Sequence, residues 1–316
     1  PYWKWYVDMH PEKVREETRD RRLDAVGAGR SLYIEFVRGA LPEVHAKAPM
    51  DLPSSKCFRG TGLVAMNSDL TDGKNNVSII FKSSPLGSQS HGFDAQNSFS
   101  LFAFGERLLI HTGQRDIHGS DHHKNWMHHT KSTNCIGVNG EMGEILDFYT
   151  SEVFDYVAGE AAPAYGGMLK KFTRQILFAK PDAVVICDTV VAHEASIFQY
   201  YLHAETEMDI EGQTLKITTG DAGCVVSLLR PENLKISQTD QFDPPPRARV
   251  QLEEYHVTAE TVIPREKATF IAVLRPHRTG DVPEGDPILM NDGILMVPLP
   301  DGELNCARRK KIRMVL

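Results

Sequence analysis

From Phe58 onward, short apolar runs alternate with polar and glycine-containing breaks. "GLVAMNSDL", "NNVSIIFKS", "NSFSLFAFG", "RLLIHTG", "FTRQILFAK", "DAVVICDTVVA", "SIFQYYLHAE", "LKITTGDAGCVVSLL", "RVQLEEYHVTAETVI", "KATFIAVLRP" and "GILMVPLP" are rich in β-branched and aromatic residues. Turn signals such as "TDG", "AKPD" and "TGDAG" separate them at strand-and-turn spacing. No strand–helix–strand alternation interrupts the series, so the sheets are expected to be antiparallel and to pack as a β-sandwich. The amino-terminal stretch reads differently. "PEKVREETRDRRLDAV" opens on a proline and is rich in good helix formers, and "RSLYIEFVRGALP" carries apolar residues at helical spacing before a Gly and Pro stop. "VHAKAPMDLPSSKC" is proline-rich and reads as a linker. The expected fold class is mainly β, an antiparallel β-sandwich preceded by a short helical segment. The expected divisions are helical residues 1–48, a sandwich over 49–275 and a C-terminal β extension over 276–316.

One window interrupts the alternation. Between Ser83 and Asn134 lie seven of the chain's thirteen histidines: His91, His111, His118, His122, His123, His128 and His129. A tight Gly105-Glu106 turn is expected between two strands, the second ending near His111. The loop from Gly113 to Lys131 then carries five histidines and Trp126 without a periodic pattern of its own. Loops of that length are uncommon and usually functional or disordered, and the Trp and histidines argue against disorder. A metal cage, an acid/base site and an incidental polar loop all remain open.

For a metal, the pairs His122/His128 and His123/His129 lack both an H-E-x-x-H pattern and a helix to align them, and neighbouring side chains diverge. His111 with His118 or His122 would be the best ligands of a divalent ion such as zinc. An acid/base site asks for less, because a neutral imidazole exchanges protons at physiological pH. His91 sits between Gly87 and Gly92, with Ser88, Gln89 and Ser90 before it and Gln96 and Asn97 after it. Such neutral polar groups around one histidine suit a sugar cleft. Trp126 fits equally a flat platform for a pyranose ring or a plug beneath the loop.

Composition narrows the classes. Hydrophobic content of 41% and charged content of 24% are ordinary for a globular protein. A net charge of −7 argues against nucleic acid as partner, and the run Arg308-Arg309-Lys310-Lys311 reads as a solvated chain end. No apolar run reaches the ~18 residues of a membrane helix, so no membrane partner is expected. The chain opens on Pro1, as expected of a processed product or a piece of a longer protein. Cys57, Cys135, Cys187, Cys224 and Cys306 are scattered without a C-x-x-C pair and read mostly as small buried hydrophobes.

"KSSPLGSQSHGFDAQNSFSLFAFGERLLIHTG" and "GSDHHKNWMHHTKSTNCIGVNG", with "LPSSKCFRGTGLVAMNSDL" and "RQILFAKPDAVVICDTV", resemble the heparinase II/III-like polysaccharide lyases, at least from about Phe58 to Asp188. The resemblance implies an α/α toroid followed by an antiparallel β-sandwich with the active site in the cleft between them. Pro1 to Pro42 would then be the toroid's last helices. His91 matches the first histidine of the family's Ser-His-x-His-x-Asp stretch, the one that reaches substrate. This chain has Phe93 where the second histidine is usual, and its acid is one place early at Asp94. It has His111 where an Asp commonly ends the next strand, and Thr133 where a histidine is often found. Those three positions are the family's usual zinc ligands.

The implied chemistry is β-elimination beside a uronic acid. The uronate carboxylate must be neutralised, a base must take the C5 proton, and an acid must protonate the leaving oxygen. His91 is expected to be catalytic, with Gln89, Asn97, Arg115, His122 and Trp126 binding the sugar. An acidic polysaccharide is the expected partner, an upstream toroid the missing half of the cleft, and the periplasm or exterior the expected location. The alternative is a non-catalytic carbohydrate-binding sandwich. Hydrolysis would need two carboxylates at a defined separation, and Asp94 and Glu106 read better as turn caps.

Overall fold

The computed structural model describes residues 1–9, 45–85, 94–113, 116–137, 143–299 and 311–315. The expected helices of residues 11–26 and 30–42 lie outside the described residues, as do Gln89, His91 and Arg115. The chain divides into two compact units, Pro1–Pro53 and Ser54–Leu316.

In the first unit a helix, α1, spans Tyr2–Met9. The supposed linker holds a 3₁₀ turn, Pro49–Asp51. Asp51 in that turn accepts from the Tyr2 hydroxyl at 3.0 Å and pairs with Lys47 at 2.6 Å.

The second unit is the antiparallel sandwich that the alternation predicts. A five-stranded sheet runs in chain order through β1 (Lys56–Phe58), β2 (Leu63–Asn67), β3 (Val77–Lys82), β4 (Ser98–Ala103) and β5 (Glu106–Leu109). Next come β6 (Glu144–Thr150), β7 (Phe154–Glu160), β8 (Leu169–Ala179) and β9 (Ala183–Ser196). These are followed by β10 (Gln199–Ala204), β11 (Asp209–Glu211), β12 (Thr214–Thr219), β13 (Ala222–Arg230), β14 (Lys235–Thr239), β15 (Tyr255–Glu260) and β16 (Arg265–Arg278). An eight-stranded sheet has the order β11-β12-β13-β16-β9-β8-β7-β6, and β10, β15 and β14 form a sheet of three. The bridges Phe99–Asn134 and Ile136–Tyr200, with the Ile110 N–H to His203 carbonyl bond, stitch the five- and three-stranded sheets together. The β4–β5 turn is built on Phe104 (φ 56°) and Gly105 (φ 90°), one residue earlier than the Gly-Glu turn expected.

Period-two alternation fixes which residues face inward. On β8, Phe172, Arg174, Ile176 and Phe178 are buried, and on β16 so are Ala268, Phe270, Ala272 and Leu274. These pack with Phe81, Phe99 and Leu101 of the first sheet in one core. A last small sheet comprises β17 (Ile288–Leu289), β18 (Ile294–Pro298) and β19 (Lys311–Val315). Its Leu295 and Val297 pack on Ala183, Val185 and Val273, a second apolar cluster.

Two inward positions are ionic. Arg174 and Asp188, opposite each other on β8 and β9 and both fully buried, form a two-pronged pair at 2.7 Å for each contact. The remaining guanidinium nitrogen donates to the carbonyls of Asn97 (2.7 Å) and Asn134 (3.0 Å). Burial alone would lower the Arg174 value, but Asp188 beside it raises it above the ordinary range. Paired in this way, neither charge is left bare in the core.

Candidate functional site

The ends of β3 and β4 and the returning segment 132–136 converge above the Arg174–Asp188 pair. Asn97 opens β4 in a left-handed conformation (φ 54°), which Asn tolerates better than most residues. Its amide donates to the carbonyls of Gly159 (3.1 Å) and Phe172 (2.9 Å). A Cβ at Gly159 would lie 2.4 Å from Asn97 Oδ1, so a glycine is needed for this approach. Asn97, expected to bind sugar, is fully buried; it fastens β4 to the opposite sheet and presents nothing to a ligand. Asn134 does similar work, donating to the carbonyls of Phe99 and Ile110 and accepting from the His203 N–H at 2.8 Å. The segment carrying Gln89 and His91 is closed at its feet, where the Ser84 N–H donates to Gln96 Oε1 at 2.7 Å.

Around those feet lies a rim of titratable groups. Lys82 ends β3, its ammonium 3.4 Å from the Ala95 carbonyl. Burial lowers its pKa to about 8, opposed by the attraction of Asp94. The Asp94 N–H donates to the His128 carbonyl at 3.0 Å, tying the two histidine-bearing segments together. His111 is lowered to about 4 by burial, with Lys82 and His128 adding to the shift. His129 is lowered to about 4 by burial and Lys131, against the pull of Asp94. Its Nδ1 accepts from the Lys131 N–H at 3.0 Å, which leaves Nε2–H as a donor in the neutral ring. The rim thus combines the Lys82 ammonium, the Asp94 side chain and the imidazoles of His111 and His129, which are neutral at pH 7.

The long loop is less irregular than expected. It contains a π-helical turn, His123–Met127, and a 3₁₀ turn, Thr130–Ser132. Trp126 is 5% exposed and packs against Phe242, His256 and His122, as a plug beneath the loop does. His122 is 1% exposed, and both its ring nitrogens face carbonyls, those of Pro244 (2.8 Å) and Gly113 (2.9 Å). Neither side chain, as placed, reaches a ligand; they hold the loop. His118 is exposed and lies 4.7 Å from the His123 ring, which is 4.5 Å from that of His128.

The described residues do not fit the zinc site that the resemblance implies. His111 Nε2 is engaged by the Met127 carbonyl (3.1 Å) and Ser132 Oγ (3.0 Å), and the Lys82 charge acts on the ring. Thr133 Oγ1 donates to the Thr130 carbonyl at 2.9 Å. Among the described residues no three His, Cys, Asp or Glu side chains come together as a metal ligand set.

Lys82 was missed by sequence reasoning. The available signal was a lysine closing an apolar strand directly before the glycine- and serine-rich segment, but an exposed strand-end lysine gives the same signal. Asp94 reads as a turn cap or as the displaced acid of the family stretch, and neither reading places it near Lys82. His203 and His256, whose Nδ1 atoms lie 3.1 Å apart inside the β10–β15 sheet, were also missed, since each reads as one polar residue within an apolar run.

The family described as "Heparinase II/III-like, C-terminal" matches residues 50–283. A comparison with curated proteins finds no match. Among solved structures, a heparinase III superposes with a TM-score of 0.69 at 16% identity, over 89% of this chain and 44% of that one. A heparan sulfate lyase from Pedobacter heparinus gives 0.69 at 15% identity, over 86% and 43%. A second heparinase III gives 0.65 at 14% identity, over 87% and 44%. The chain therefore spans less than half the length of these proteins, and at such identities the likeness speaks for the fold. With the family match covering most of its length, the chain belongs to the heparinase II/III-like, C-terminal family.

Proposed function

We propose that this chain is the sandwich portion of a polysaccharide lyase that cleaves uronic-acid-containing polysaccharide by β-elimination. The observation that carries the reading is the rim of Lys82, Asp94 and His129 at the feet of the segment bearing His91. Elimination first requires that the uronate carboxylate be neutralised, so that charge developing at C5 is stabilised. The Lys82 ammonium, with its pKa near 8, supplies a half-buried cation at neutral pH. The His129 Nε2–H, which shares Asp94 as an electrostatic neighbour with Lys82, supplies a neutral donor. His91 is assigned the proton chemistry by its match to the family motif, as base toward C5 or as partner to the carboxylate. The remaining acid or base would come from a helical toroid, on a longer polypeptide or a second chain. The similar solved structures support the substrate class, since they are a heparinase III and a heparan sulfate lyase. A polymeric substrate of this kind is met outside the cytoplasm, which supports a periplasmic or exterior location.

The decisive experiment incubates the polypeptide containing this chain and its toroid with uronic-acid polysaccharides. Each cut should create an unsaturated uronate absorbing near ~232 nm, and His91→Ala should abolish most of that signal. Cleavage without new absorbance would point to hydrolysis and sink the proposal. A second reading, a carbohydrate-binding sandwich without chemistry of its own, is favoured for the isolated chain by its coverage of only 44% of a heparinase III. It predicts binding without absorbance.

A further inference from the structure

The outward face of the eight-stranded sheet carries a second polar surface. On β16, alternation sends Ala268 and Phe270 into the core and Arg265, Lys267 and Thr269 to the other side. The strand register carries these positions across the sheet. Lys267 pairs with Val191, which pairs with Lys171; Thr269 pairs with Thr189, which pairs with Thr173. The result is a row of three half-exposed threonines beside a row bounded by two exposed lysines. Two strand spacings separate those lysines, ~10 Å.

At the β16 end the face dips into a recess of about 510 Å³, lined by Arg230, Asn233, Arg265, Lys267 and Thr269 among others. Irregularities in both flanking ladders, between Leu228 and Arg230 and between Arg265 and Lys267, open the sheet there. Glu232 also lines the recess but is engaged with Arg230. The Arg265 Nε–H is buried and has no hydrogen-bond partner among the described residues. A buried donor without an acceptor is costly, and an oxyanion entering the recess would satisfy it.

We propose that this recess and threonine row form an auxiliary binding site for an anionic saccharide. A sulfate or carboxylate would sit against Arg265 and Lys267, with the sugar hydroxyls along Thr269 and Thr189, beyond which the Thr173 hydroxyl is held by the Glu160 carboxylate at 2.8 Å. The saccharide class rests on the lyase reading; the oxyanion site rests on the recess itself. Such a site would hold polymer on the outer face while the rim around Lys82 works on another stretch of it.

The test measures binding of a heparan sulfate oligosaccharide to the whole chain by calorimetry, for the native protein and for Arg265→Gln/Lys267→Gln. Both side chains are at least partly exposed, and a thermal melt checks that the variant folds. The expected result is roughly tenfold weaker binding in the variant, with Thr189→Ala weakening it less, in keeping with charge-assisted hydrogen bonds outweighing neutral ones. Inorganic sulfate should compete at high concentration. Equal affinity of native and variant proteins overturns the proposal, as does no binding by the native chain. Equally tight binding of single-stranded DNA of matched charge overturns the saccharide assignment. Elimination is followed separately on the polypeptide that includes the toroid. Weaker binding in the variant with no elimination by any form would refute the lyase reading and support the auxiliary site.

Discussion

Lys82 shows how its surroundings change the chemistry of one side chain. At the end of β3 it would ordinarily be a solvated ammonium, but here it is half-buried with Asp94 within electrostatic reach. Replacing it with Met keeps the stem and removes the charge, so elimination should fall about 10²-fold or more, in the range lost with one electrostatic stabiliser. Thermal stability should change little. The cation exists below its pKa, so the reaction should weaken as pH rises through about 8. Full activity in Lys82→Met, or a rate still climbing above pH 9, would remove Lys82 from the mechanism. Asn97, His122 and Trp126 teach the converse. Each has the chemistry of a sugar contact, yet burial commits each to the protein's own groups.

At the level of elements, the histidine-rich loop is held by packing more than by propensity. Gly113 starts it at φ 86°, and a Cβ there would lie 2.3 Å from Trp126 Cδ1 and 3.1 Å from His122 Nε2. Gly113→Ala should therefore cost roughly 1–3 kcal/mol of stability and alter the Trp126 fluorescence. An unchanged melting temperature and spectrum would show that the loop yields freely. The strands that sequence inspection found are those with long β-branched runs, such as β9 and β16. Those it passed over are edge or mixed strands, whose faces lack contrast. β6 reads "EILDFYT" with only Ile145 buried, and β14 reads "KISQT" with Ile236 and Gln238 only half-buried. Edge position weakens alternation because one face and one ladder remain open to water.

For the whole molecule, buried imidazoles set the response to acid. His111, His129 and His256 have values of about 4, and burial drives His203 lower still. The unfolded chain takes up these protons near ~6.5 while the folded protein resists until about 4, so the unfolded state binds more protons in that window. Stability should hence fall as pH drops from about 6.5 to 4, by up to ~1.4 kcal/mol per pH unit for each fully buried ring. Urea unfolding at pH 7 and pH 5 checks this; equal or greater stability at pH 5 would contradict it.

The sequence by itself determined the antiparallel sandwich and its family, because alternation, turn residues and a motif with its spacing are local and survive without coordinates. Tertiary structure alone decided that Asn97, His122 and Trp126 hold the frame, that Lys82 joins the rim, and that Arg265, Lys267 and the threonines share an outer face. Those distinctions depend on burial and on partners dozens of residues away, such as the Arg174 guanidinium that gathers Asn97, Asn134 and Asp188 around one buried charge.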